Sequence, residues 1–189
     1  MNSPTLFHAA SGANAIGTTG TFVAIAGDRD KVIYFTPRFA GFQLGVSYTP
    51  DRTEELGFAL RPDITAGQQS EILSFGVNYV GSFSGVDIAV YGGYAETELE
   101  LATATATEDI EMYGFGGELG YMGFTFGASY RKIDDAAALP GTDRHDWNIG
   151  LAYETGPWTI AGAYGHGEIN AGVGVPGEDE IDQFEAGIT

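Results

Sequence analysis

Segment after segment of this chain alternates large apolar side chains with small or polar ones at a period of two. From Gly41 to Thr49, Phe42, Leu44, Val46 and Tyr48 interleave with Gln43, Gly45, Ser47 and Thr49. Successive side chains on a strand point to opposite faces, so this order makes a strand with one bulky apolar face and one small polar face. SEILSFGVNYV sets Leu73, Phe75, Val77 and Tyr79 against Ser74, Gly76 and Asn78. VDIAVYGGYAE repeats the device, with Val86, Ile88, Val90 and Tyr94 opposing Asp87, Ala89 and Ala95. Two environments produce such stripes. In a soluble sheet the apolar face is the core; in a membrane barrel it meets lipid while the polar face lines water. Period alone does not separate them. The crowding of Phe, Tyr and Trp on one face of strand after strand favours the barrel.

The same rhythm continues to the end of the sequence. IEMYGFGGELGY aligns Tyr113, Phe115, Leu119 and Tyr121, and FTFGASYRK aligns Phe124, Phe126, Ala128 and Tyr130. HDWNIGLAYE aligns Trp147, Ile149, Leu151 and Tyr153; WTIAGAYGHG aligns Trp158, Ile160 and Tyr164; QFEAGIT aligns Phe184, Ala186 and Ile188. With KVIYFT at Lys31–Thr36, this predicts about nine antiparallel strands, each near the roughly 9–11 residues that cross a bilayer when tilted. Short turns (PRFAG, GSFSG, YMG, TGP) alternate with long polar, acidic connections. Outer-membrane barrels show that asymmetry, with short periplasmic turns and longer external loops. GVSY, GVNY, GASY and GLAY end on Tyr48, Tyr79, Tyr130 and Tyr153. An outward tyrosine at a fixed depth would suit the membrane interface, where an apolar ring meets a wet hydroxyl.

Composition excludes several functions. Asp and Glu number 26 against 8 Lys and Arg, a formal charge of -18, whereas nucleic-acid binding needs clustered cations. There is no Cys to supply a disulfide, a thiolate metal site or a thiol nucleophile. No run approaches the roughly 18 apolar residues of a membrane helix. The first residues, MNSPTLFHAASGANAIG, lack the basic and apolar regions of a signal peptide.

RDKVIYFTPRFAGFQLGVSYTPD, Arg29–Asp51, resembles the hairpin signature of the alphaproteobacterial, Rhodobacter-type general porins of Gram-negative bacteria. The likeness continues more loosely to Thr189 as hairpins and Gly-x-x-Tyr strand ends. It implies a transmembrane, all-β antiparallel barrel, sixteen-stranded in such porins, of which this chain holds about nine strands. Residues 29–189 would then be a partial barrel that stops in mid-strand, and residues 1–28 a loop region, the tail of a constriction loop. The implied function is a water-filled outer-membrane channel for passive diffusion of small hydrophilic solutes and ions. The implied partners are outer-membrane lipid and lipopolysaccharide, with a homotrimer as the full-length state. A complete small barrel with a structural or adhesive role and no open pore is the alternative, and an isolated soluble sheet a third.

The candidate pore lining is Gln43, Ser47, Thr49, Asn78, Asp87, Glu118, Thr125, Ser129, Arg131, Asn148, Glu154 and Thr159. The candidate lipid-facing set is Phe42, Leu44, Val46, Tyr48, Phe75, Tyr79, Phe126, Tyr130, Trp147, Tyr153, Trp158 and Tyr164. Arg38, in a short turn, reads as a periplasmic surface charge. Arg29 and Lys31 sit where the chain leaves the expected constriction region. Glu178, Asp179, Glu180 and Asp182, with Asp134 and Asp135, are expected to cluster in the long loops. Acidic loops of that kind can hold Ca²⁺, but none has EF-hand spacing and a solvated loop is the simpler reading, so no cofactor is expected. Nor is catalysis: His8, His145 and His166 are scattered, and His145 and Asp146, as strand neighbours, point to opposite faces. GFGGELG, Gly114–Gly120, lacks the GK[ST] ending and following helix of a phosphate loop.

Overall fold

The computed structural model describes residues 23, 25, 30–51, 64–170, 172 and 177–189. The expected loop region 1–28, apart from Val23 and Ile25, and Arg29 lie outside those residues. The rest forms one nine-stranded antiparallel sheet in simple meander order, each strand pairing with its sequence neighbours. The strands are β1 (Val32–Phe35), β2 (Phe42–Thr49), β3 (Gln69–Phe83), β4 (Val86–Leu99), β5 (Glu111–Tyr121), β6 (Phe124–Asp134), β7 (Arg144–Thr155), β8 (Trp158–Asn170) and β9 (Glu178–Ile188). The sheet is open, with β1 and β9 at its edges.

Turn chemistry sets the register. At Ser84–Gly85 both φ angles are positive, +51° and +80°, and at Met122–Gly123 they are +51° and +84°. Two central residues with positive φ make the hairpin turn whose twist matches the flanking strands, and glycine is the residue that takes it without strain. These turns are tighter than GSFSG suggests, and β3 runs on through Gly81, Ser82 and Phe83. The long-connection ends are also more ordered than their composition implies. β4 continues to Leu99, and Thr107 and Glu108 donate backbone hydrogen bonds to Ala138 O, tying two long connections together.

The largest correction concerns the acidic stretch before the last strand. Glu178, Asp179, Glu180 and Asp182 belong to β9 rather than to a loop, paired against Asn170, Ile169, Glu168 and His166. Charge does not prevent a strand when both faces of that segment reach water. The alternation then separates the carboxylates: Glu180 and Asp182 share a face with Phe184, and Asp179 takes the other. Asp134 likewise ends β6, and Asp135 alone of the group is in a loop.

Directly paired residues share a face, so the registers assign every side chain. One face carries Phe42, Tyr79, Val90, Ala128, Ile149, Tyr164 and Phe184 in a single row. It is open: Phe42 is 53% exposed, Phe126 48%, Leu151 51% and Trp158 56%. The opposite face holds Thr49, Ile72, Ala95, Met112, Arg131, Asp146 and Ala152, all of them buried. A soluble sheet would hide the bulky face; this one hides the small, polar face. A single layer shields a face by curling over it or by having chain lie on it. At Gly93 the second applies, because a methyl placed there would meet Val23 Cβ and Cγ2 at 3.4 Å. The shielded face is called inner below, and the apolar face outer.

Candidate channel wall

Every candidate pore-lining residue falls on the inner face and every candidate lipid-facing residue on the outer. The wall is built in register rows. One row runs Gln43, Asn78, Tyr91, Gly116, Ser129, Asn148, Gly165, Gln183. The next toward the long connections runs Phe35, Gly45, Gly76, Gly93, Gly114, Arg131, Asp146, Gly167, Ile181. On the other side lie Val80, Ala89, Glu118, Gly127, Gly150, Ala163 and Glu185. Asp87 and Thr125 follow toward the short turns, with Glu154 facing Thr159 beyond.

The charged centre of the wall is an arginine pair around one carboxylate. Asp146 is fully buried; its Oδ2 accepts from Arg131 Nε at 3.2 Å and Nη2 at 2.5 Å, and from Arg144 Nε at 2.9 Å. Arg131 comes from the preceding strand β6, where it sits directly opposite Asp146. A carboxylate this buried is tolerable only with such partners. His145, one residue away, is on the outer face, where its Nδ1 lies 2.8 Å from Tyr130 Oη.

Two features escape sequence reasoning. Arg38 stays exposed in the β1–β2 connection, as expected of a surface charge, and it also reaches hydrogen-bonding groups of the inner face. Its Nη1 donates to Gly41 O at 2.5 Å and its Nη2 to Gln43 Oε1 at 3.1 Å and Asn78 Oδ1 at 2.6 Å. Only the β2–β3 register, which brings Gln43 beside Asn78, creates that seat. The other is a polar group on the outer face between β8 and β9. Asp182 Oδ1 lies 2.9 Å from His166 Nδ1 and accepts from Tyr164 Oη at 2.5 Å, while Trp147 packs 5.7 Å from the His166 ring.

The four repeat tyrosines do not mark one depth. Tyr48 and Tyr130 stand near the long-connection ends of β2 and β6, Tyr79 and Tyr153 near the short-turn ends of β3 and β7. Antiparallel strands carry a repeat at fixed sequence position to alternate ends, which makes two aromatic belts. At the short-turn end Phe42 packs on Tyr79 at 4.8 Å and Phe124 on Tyr153 at 4.3 Å.

Among the described residues, no group of three or more His, Asp or Glu converges as a metal site. A sheet that segregates a bulky apolar outer face from a small polar inner face, with aromatic belts toward both ends, fits the wall of a barrel protein. A family model for Gram-negative porins matches residues 2–189. The chain belongs to the Gram-negative porin family. The porin family consists of non-enzymatic β-barrel channels of the outer membrane, and the all-β antiparallel sheet fits it. An uncharacterized protein of Rickettsia bellii (strain RML369-C) is 23% identical to this porin over 176 residues, covering 67% of this chain and 40% of the relative. The porin chain thus spans less than half the length of that curated relative.

Proposed function

We propose that the native protein is a general diffusion porin, with β1–β9 forming part of the wall of a wide, water-filled channel. Small hydrophilic solutes and ions would pass down their gradients, sieved by pore width and by the field of Arg38, Asp87, Glu118, the Arg131–Asp146–Arg144 group and Glu154. The observation that carries this reading is the reversal of burial, bulky apolar side chains open and small polar ones shielded. That arrangement suits lipid outside and water inside. A narrow plugged barrel needs bulky inner residues to fill it, whereas Gly45, Gly76, Gly93 and Gly114 stand side by side on four successive strands of one inner row.

Further elements of the proposal extend past this chain: closure by additional strands to sixteen, a constriction loop preceding β1, a homotrimer, and lipopolysaccharide contact at the long-connection end. Planar-bilayer recording on the native protein tests the core of it. Stepwise conductance that scales with bulk salt, and exclusion of larger poly(ethylene glycol) fractions only, are expected. Stable insertion into lipid without conductance would overturn the open pore and leave the structural barrel.

A further inference from the structure

The side-chain-bearing members of the central row, Gln43, Asn78, Tyr91, Ser129, Asn148 and Gln183, interrupted by Gly116 and Gly165, differ from the neighbouring rows in kind. Each member can hydrogen-bond, each is partly exposed, and none is a carboxylate or an amine. The flanking inner positions are short on both sides of Gln43 (Gly41, Gly45) and Tyr91 (Ala89, Gly93), and on one side of Asn78 (Gly76), Ser129 (Gly127) and Asn148 (Gly150), whose other flanks are Val80, Arg131 and Asp146; Gln183 lies between Ile181 and Glu185. Gln43 and Tyr91 therefore stand proud of the wall on both sides, and Asn78, Ser129 and Asn148 on one.

The row is also internally ordered. Ser129 Oγ donates to Asn148 Oδ1 at 2.7 Å, and Arg38 bridges Gln43 and Asn78 while Gln43 Nε2 donates to Thr36 O at 3.2 Å. Tyr91 leans along the row over Gly116, where a methyl would stand 2.9 Å from Cε1, and stays 41% exposed. Seven strand spacings of about 4.8 Å give the row a length of roughly 34 Å. Because barrel strands tilt, it climbs obliquely rather than circling the lumen.

Amides offer both a donor and an acceptor, as hydroxyls do, and so match groups that donate and accept at every carbon. An exposed aromatic ring can pack on the C–H face of a saturated ring. We infer that this row is a hydrogen-bonding track for neutral polyhydroxylated solutes of the pyranose class, with Arg38 fixing its β2–β3 end. The inference rests on the open-pore reading and adds to it: the wall prefers sugars over neutral solutes of equal size.

The test is current block in planar bilayers with the native protein, titrating sucrose against poly(ethylene glycol) of the same hydrodynamic radius. Saturable block by sucrose in the millimolar range, and only linear reduction by the polymer, are expected. Tyr91→Leu should raise the half-blocking sucrose concentration about tenfold, a loss of about 1.4 kcal/mol, and leave polymer exclusion and single-channel conductance in salt within a factor of two. Tyr91→Phe, which keeps the ring, should retain most of the block. Equal, unsaturable reduction by sucrose and polymer would overturn the track while leaving the porin intact. A variant with unchanged sucrose block would overturn it too, and a native protein with no conductance would overturn both readings.

Discussion

At the scale of single residues, the wall separates groups that hold structure from groups that only face water. Asp146 is fully buried between two arginines, so Asp146→Ala leaves guanidinium charge uncompensated and should cost about 3–5 kcal/mol. Glu154→Ala, exposed on the same face, should change stability by less than about 0.5 kcal/mol. Urea titration of the native protein refolded in lipid vesicles distinguishes them; equal effects would mean the pair contributes nothing. Sequence reasoning placed Arg131 on the inner face from strand parity alone. It could not find its partner, because nothing in the sequence pairs β6 with β7 at Arg131–Asp146 rather than two residues away. The seat of Arg38 was hidden for the same reason, since its acceptors come from strands whose register the turn at Ala40–Gly41 and a long connection decide.

At the scale of elements, a one-residue step along a strand changes the solvent. Val46→Arg, on the outer face of β2, should destabilise by about 2–4 kcal/mol, whereas Ser47→Arg, its neighbour on the inner face, should change stability by less than about 1 kcal/mol. The same vesicle titration reads both. Hairpin turns are the second lever. Gly123 has φ +84°, and a methyl there would lie 2.8 Å from the backbone oxygen of Glu154. Gly123→Ala should therefore cost more than about 1 kcal/mol and slow the pairing of β5 with β6, measurable as a lower folding rate by tryptophan fluorescence. Strand number, order and facing were all legible, since a period of two survives any local detail. Ends were not. The acidic start of β9 reads as loop by composition, yet its ladder to β8 holds it as strand through Glu178. Backbone pairing with an existing edge outweighs the weak strand propensity of Asp and Glu.

At the scale of the whole molecule, the sheet has two edges, and neither can remain bare in lipid, where each unpaired backbone group costs several kcal/mol. Refolded alone in vesicles, the 189-residue chain should appear on native mass spectrometry as species heavier than 19.9 kDa, joined edge to edge. A monodisperse monomer of that mass would mean that β1 and β9 satisfy each other. What encloses the inner face at Gly93 was not legible, because naming Val23 as the neighbour needs the fold. The meander order has a consequence for how such a wall is made. Each strand's partner is the one synthesised immediately before it, so no pairing among the nine has to wait for a distant segment. Loop-closure entropy is then spread over many small steps rather than concentrated in one. Assembly can proceed as a zipper, each new hairpin templated on the exposed edge of the last, and a chaperone or insertion machine need only guard one growing edge at a time.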